Sequence, residues 1–207
     1  LMEFFARKGY WTFFPRYRGT WESGGQFLKH SPEKDINDVV AGLSKKITNI
    51  WDNKSYSVKP KDIYIIGASF GGTAAVLCSI KPKVTKAVAI ARVVDWKKDS
   101  KVEPLPLLEK LTRSMYGQAY RFNHRDWQKL ERGNFYNPVT KQSKIDKNKL
   151  LIIHAKDDKL ALYQPALKFA KETGAALITL KTGGHLSSKI LLSPRISKLI
   201  ISFIKEK

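Results

Sequence analysis

Residues 63–72 read Ile63-Tyr64-Ile65-Ile66-Gly67-Ala68-Ser69-Phe70-Gly71-Gly72. The continuous apolar run Ile63–Ile66 is that of a parallel strand covered on both faces, and Gly67 ends it. The small-residue stretch Gly71–Ile80 reads as a helix. Between strand and helix lies Gly-x-Ser-x-Gly, the pattern of a nucleophile elbow. A serine on such a sharp turn is forced into a strained backbone conformation that lifts its hydroxyl above the sheet, and small neighbours avoid a clash there. Gly67 and Gly71 are expected to give that clearance. The pattern alone arises by chance about once in fifteen chains of this length, so its placement between strand and helix gives it weight. The helix amino end beneath the serine favours an oxyanion.

Outward from this segment, strands and helices alternate. Ala87–Ile90, Leu150–Ile153 and Leu177–Leu180 read as further buried strands. Helices are predicted over Pro165–Thr173, with Gly174 as cap, and from Ser193-Pro194 onward, with Ile196, Leu199, Ile200, Phe203 and Ile204 on one face. Such alternation argues for a parallel α/β sheet. Upstream, Tyr10–Phe14 reads as a short strand and Arg16–Gly25 as a loop. The spacing of Ile36, Val39, Val40, Leu43, Ile47, Ile50 and Trp51 predicts an amphipathic helix of about four turns from Asp35. Residues 97–149 differ in character, with helices around Leu105–Tyr116 and Asn123–Glu131, and read as an insertion. We expect one domain over 1–207, with 97–149 as a lid whose Leu107, Leu108, Leu111, Met115, Tyr116 and Tyr120 either line a pocket or pack on the domain.

Triads of elbow hydrolases run serine, acid, histidine along the chain, and that order is available here. The loop after the strand ending at Ile153 carries Asp157 and Asp158. The loop after Leu180 carries Gly183-Gly184-His185. In an open parallel sheet these loops converge on one crevice with the serine. His185 would take the proton from Ser69 and return it to the leaving group, while a carboxylate fixes its tautomer. Asp157 and Asp158 compete for that role, and one of them caps the next turn. His30, His124 and His154 are weaker candidates for the base.

The 207 residues contain 38 Lys and Arg against 18 Asp and Glu, a formal net charge of +20, with 43% hydrophobic and 11% aromatic residues. That content is too apolar for disorder and suits one folded domain. One cysteine, Cys78, and four scattered histidines exclude an internal disulfide and a zinc site; it also fits a reducing, cytoplasmic setting. No stretch approaches the roughly 18 apolar residues of a membrane span, and residues 1–8 read as the end of a helix, not as a signal peptide. The basic residues are scattered and build no nucleic-acid motif, so a solvated surface is preferred to a nucleic-acid footprint; an anionic partner or surface stays open.

With these residues in view, the chain resembles the α/β-hydrolase superfamily, and within it the catalytic domains of prolyl oligopeptidase-like serine peptidases. The likeness rests on Gly9-Tyr10, Pro15, Tyr17-Arg18-Gly19, the lead-in Val58–Ile63, Val94-Asp95-Trp96, Asn137-Pro138-Val139 and Leu151–Asp158. Phe70 matches the aromatic residue that usually follows the serine; Ala68 and Ala155 depart from the pattern. The resemblance implies an α/β-hydrolase fold and selects Asp158 as the acid, with His154 as a landmark. It implies that the backbone N–H of Phe70 is one oxyanion donor. The family's first strands and the loop supplying the second donor would precede Leu1, so the chain reads as an amino-terminal truncation, and the family's β-propeller has no counterpart in it.

The expectation is therefore a serine hydrolase with Ser69, Asp158 and His185 as triad, no cofactor and no metal, cleaving a peptide or ester substrate. Carboxylesterase or lipid esterase is the alternative within that class. A noncatalytic binding protein that uses its basic surface is the alternative outside it.

Overall fold

The strand residues do assemble into one parallel sheet. The computed structural model describes residues 2–98, 100, 102–186 and 188–206; Leu1, Asp99 and Lys101, which fall within the predicted leading helix and insertion, lie outside them. In chain order the elements are α1 (Met2–Ala6), α2 (Pro32–Gly42), β1 (Ile47–Thr48), β2 (Ser55–Tyr56), β3 (Tyr64–Ala68), α3 (Phe70–Ser79), β4 (Lys86–Ile90), α4 (Leu105–Tyr116), α5 (His124–Glu131), β5 (Leu150–Ala155), α6 (Tyr163–Thr173), β6 (Ala176–Leu180) and α7 (Pro194–Lys205). The main sheet has the order β3-β4-β5-β6, all parallel. Ala68 lies opposite Ile90, Ile90 opposite Ile153, and Ala155 opposite Leu180. The carboxyl ends are thus level, and the four loops that follow open on one edge, where ligands bind in open α/β sheets.

The apolar runs face both ways, as buried parallel strands must. Val88, Ile90, Leu151 and Ile153 pack against Ile196, Ile200, Phe203 and Ile204 of α7 on one face. Ala87, Ala89, Leu150 and Ile152 pack against α3 and α6 on the other, with Phe169 in the centre. Small alanines in β4 let α3 come close. A third cluster joins Phe27 and Leu28 to Leu77, Trp96, Leu105, Trp127, Leu130 and Tyr136, so the inserted helices rest on α3 and on the loop before α2. That loop is tied to the insertion by backbone bonds: Trp21 N–H donates to Ala119 O at 2.7 Å, Phe27 N–H to Arg121 O at 2.7 Å and Arg121 N–H to Gly19 O at 2.7 Å. Gly19 permits this approach because a Cβ there would stand 2.1 Å from Phe27 N. Arg18 anchors the other side, donating to Asp35 and Asp38 in α2.

Four expectations need correction. Tyr10–Phe14 forms no strand; it runs as irregular chain, and only its rings reach the sheet region, Tyr10 against Tyr64 and Trp11 against Tyr56. With no partner backbone in register, an aromatic β-prone run has no ladder to join. The helix predicted from Asp35 to Trp51 starts at Pro32 and ends at Gly42. Beyond it Ile47 and Thr48 pair with Tyr56 and Ser55 across a turn in which Asn49 and Asp52 side chains accept backbone N–H bonds, from Trp51 and Lys54. Asn and Asp made that turn through local side-chain bonds, which outweighed the helical spacing of Ile50 and Trp51, 81% and 87% exposed. Leu199 lies 42% exposed on the flank of α7, off its buried face. α6 begins two residues before Pro165, and Gly174, at φ 71°, closes it as expected.

Ile152→Ala is expected to lower stability by about 2 to 5 kcal/mol, since the side chain is fully buried between α3 and α6. A urea titration followed by tryptophan fluorescence measures this.

Candidate active site

The serine sits where the strand-to-helix turn places it. Ser69 has φ 52° and ψ −124°, a conformation rare for a residue with a side chain. Its N–H donates to Ile90 O at 2.9 Å, which fastens the turn to the end of β4. A Cβ on Gly67 would lie 2.0 Å from Gly71 O, so only glycine lets the strand and helix meet this closely. The second required glycine is Gly72, where a Cβ would lie 2.9 Å from both Arg92 Cβ and Ile90 O. Gly71, expected to share that duty, meets nothing nearer than the Tyr17 hydroxyl at 3.7 Å. Phe70 opens α3, so its N–H belongs to the first-turn amides that have no helical acceptor. Its ring is held by Tyr17, Phe27, Trp96 and Tyr136, and Tyr136 Oη donates to Phe70 O at 2.6 Å. Burial raises the Tyr136 pKa, which keeps that hydroxyl protonated for the bond.

The two neighbouring carboxylates part company. Asp158 turns inward, and its Oδ1 accepts the Leu160 and Ala161 N–H groups at 2.9 Å each. Its Oδ2 lies 3.0 Å from His185 Nδ1 and 3.4 Å from His154 Nε2. Burial acts to raise the Asp158 pKa, but hydrogen bonds from His154, His185 and Ala161 outweigh it and hold the group well below the usual carboxylate range. Asp157 turns to the opposite loop and accepts from Gly183 N–H at 3.2 Å and Gly184 N–H at 2.9 Å. It therefore clamps the loop that carries the histidine. Residue spacing could not separate these roles, because adjacent residues on a turn point to different sides.

His185 has Nε2 2.8 Å from Ser69 Oγ. A carboxylate only accepts, so Nδ1 carries a proton toward Asp158, which turns Nε2 to the serine hydroxyl. The same argument fixes His154: Nε2 donates to Ala161 O at 2.6 Å, which braces the acid loop from beneath. His154 is fully buried, His124 is engaged with Glu109 at 2.8 Å, and His30 is exposed, so none of these reaches Ser69. Cys78 is no rival nucleophile; burial pushes its thiol up to about 12. Among the described residues no group of three His, Cys, Asp or Glu is placed to hold a metal.

A cavity of about 1000 Å³ opens over Ser69 and His185. Of the side chains expected to line it, Leu108, Tyr116 and Tyr120 do; Leu107, Leu111 and Met115 do not. Leu105 and Trp127 add to that wall, and sequence reasoning missed both because each also serves the core cluster of the insertion.

The model of the prolyl oligopeptidase family matches residues 1–206. The chain belongs to this family. Membership makes it a serine hydrolase of the α/β-hydrolase superfamily. Among solved structures, an esterase of Pyrococcus furiosus, Pf2001, is similar with a TM-score of 0.63 and 19% identity, over 91% of this chain and 68% of that one. A lipase-esterase related protein from Clostridium acetobutylicum matches at 0.52 and 20%, over 88% and 79%. An acylaminoacyl peptidase of Pyrococcus horikoshii matches at 0.50 and 15%, over 72% of this chain and 25% of that one. At these identities the likeness is one of fold. No curated protein matches the chain. None of the described helices of this family member is long and apolar enough to cross a membrane.

Gly67→Ala is expected to destabilise the protein by about 3 kcal/mol or more, because the clash is backbone on backbone. Gly71→Ala is expected to be neutral or stabilising by up to about 1 kcal/mol, from helix propensity; thermal unfolding of the two variants tests the contrast. The lowered Asp158 pKa also sets a pH dependence. Its contribution to stability is complete above the unfolded carboxylate value near 4 and is lost as pH falls through the lower folded value. Stability of the wild type should therefore drop more steeply below pH ~4 than that of Asp158→Asn, as read by denaturant titrations at stepped pH.

Proposed function

We propose that the protein hydrolyses peptide or ester bonds by acyl transfer, with Ser69 as nucleophile, His185 as general base and acid, and Asp158 as the group that orients and stabilises the histidine. One observation carries this reading: the unbroken run of contacts from Ser69 Oγ to His185 Nε2 at 2.8 Å and from His185 Nδ1 to Asp158 Oδ2 at 3.0 Å. Ser69 Oγ attacks the substrate carbonyl as its proton passes to Nε2. The tetrahedral oxyanion receives the Phe70 N–H, the imidazolium returns the proton to the leaving amine or alcohol, and an acyl-serine remains. Water then repeats the sequence, its proton going to Nε2 and on to Ser69 Oγ as the acid departs. The mostly apolar cavity accommodates the acyl or side-chain group, and residues 97–149 act as its lid.

Within this reading the substrate is of the peptidase type, in keeping with the family. The test is covalent labelling by a fluorophosphonate followed by intact mass, then turnover of matched p-nitroanilide and p-nitrophenyl substrates. Labelling is expected in the wild type and absent in Ser69→Ala, and Asp158→Asn should lower kcat by about 10³- to 10⁴-fold. Turnover of esters without any peptide anilide would move the assignment to an esterase. A wild-type serine that resists labelling would overturn the enzyme mechanism in favour of a noncatalytic role.

A further inference from the structure

The turn between β1 and β2 holds two apolar side chains out in solvent, Ile50 at 81% and Trp51 at 87% exposure. The backbone beneath them is nonetheless well tied. Asn49 N–H donates to Lys54 O at 2.8 Å and Asn53 N–H to Asn49 O at 2.9 Å, while the Asn49 and Asp52 side chains accept the Trp51 and Lys54 N–H groups. On one face of the hairpin Thr48 Oγ1 and Ser55 Oγ lie 3.2 Å apart; on the other Ile47 pairs with Tyr56, and both are exposed. The Tyr56 ring meets the Trp11 ring at 5.9 Å, so apolar surface continues along the hairpin to Trp11, itself 62% exposed. A single exposed apolar residue is ordinary, but a contiguous group of them marks an interaction surface. Basic residues surround this one. Residues 44–61 hold Lys45, Lys46, Lys54, Lys59 and Lys61 against one acid, Asp52. All five lysines are exposed, and among the described residues only Lys54 of the five forms an ion pair, with Asp52 at 3.6 Å.

We propose that this hairpin docks the protein on an anionic lipid surface, with Ile50 and Trp51 entering the boundary between headgroups and acyl chains and the lysines meeting the charged headgroups around them. The inference goes beyond the hydrolase reading and does not depend on it. Indole suits that boundary, since its ring is apolar and its N–H finds a polar partner there. Lysine suits it too, because the long stem lets the ammonium stay among headgroups while the chain lies closer to the apolar side. A projecting tip favours a fluid partner, which closes around any convex shape. A protein would need a matching hollow, and two side chains cover far less than the roughly 800 Å² per partner of a stable interface. A single-stranded nucleic acid would stack on the indole but gains nothing from Ile50. The net charge of +20 draws the whole molecule toward the same surface.

Flotation with phosphatidylcholine vesicles, alone or mixed with phosphatidylserine, measures partitioning of the wild type and of two double variants. Ile50→Ser with Trp51→Ser removes the apolar tip and keeps every charge; Lys45→Gln with Lys46→Gln does the reverse. The wild type is expected to bind the phosphatidylserine vesicles, and pure phosphatidylcholine at least about 10-fold more weakly. The tip variant should lose about 10- to 100-fold in affinity, and the lysine variant about 5-fold for each lysine removed. Raising the salt from about 0.1 M to about 1 M shortens the screening length from about 10 Å to about 3 Å and should weaken binding. None of the four residues lines the cavity over Ser69. Ser69→Ala should bind the vesicles as the wild type does, which separates this result from the test of catalysis. If the tip variant does not fold, lipids brominated on the acyl chains decide: they should quench wild-type tryptophan emission, and an absence of quenching overturns the proposal. Equal vesicle binding by the wild type and the tip variant overturns it, as does a wild type that stays off anionic vesicles. A concentration-dependent dimer that the tip variant loses, or tip-dependent binding of single-stranded DNA tighter than that of vesicles, assigns the surface to another partner and overturns it as well.

Discussion

Everything at the site hangs on how closely the Gly67 backbone approaches the Gly71 carbonyl. That approach ends β3 abruptly, forces Ser69 into positive φ and starts α3 at once. From there a row of backbone bonds crosses the strand ends: Ser69 N–H to Ile90 O at 2.9 Å, Ala91 N–H to Ile153 O at 3.0 Å, and Lys156 N–H to Leu180 O at 2.9 Å. Each loop is thereby set relative to the next by peptide geometry, before any side chain takes part. A serine, an acid and a histidine about 90 and 30 residues apart in the chain meet because the strand ends are level.

Electrostatics then fixes what the backbone brings close. Two adjacent aspartates act on different objects, one on the imidazole and one on the loop that holds it. The Asp158 carboxylate accepts from the His185 ring and two amides and lies 3.4 Å from His154 Nε2, and its lowered pKa expresses how much these neighbours prefer it ionised. His154 adds stiffness from below without touching Ser69. Precision at the reacting atoms comes from such supporting contacts.

The sheet and most of its helices were legible in the sequence through buried runs of Ile, Val, Leu and Ala. Ser69 and His185 stood out by the Gly-x-Ser-x-Gly turn and by chain order, whereas Asp158 was separated from Asp157 only by the family resemblance. Asn123 and Gly174 marked helix ends. What was hidden depended on partners. Tyr10–Phe14 has strand composition but no neighbour to pair with, and Ile47–Trp51 has helical spacing cut short by Asn49 and Asp52. The need for Gly72 against Arg92, and not Gly71, is a fact about two segments twenty residues apart. Arg92 itself looked like one of 38 basic residues; only burial sets it apart.

The bonds between the loop before α2 and the segment after α4 join residues about 100 positions apart, as Arg121 to Trp21 and Ser23 shows. Closing so long a span carries a larger entropic penalty than forming the β3-α3-β4 unit enclosed within it. Among the described residues, none of the hydrogen bonds to the side chains of Ser69, Asp158 or His185 comes from residues 97–149. That segment instead reaches the site one residue removed, through Tyr136 Oη donating to Phe70 O at 2.6 Å and Ser100 Oγ donating to Lys159 O at 2.6 Å, so a shift of it would be felt beside both Ser69 and Asp158.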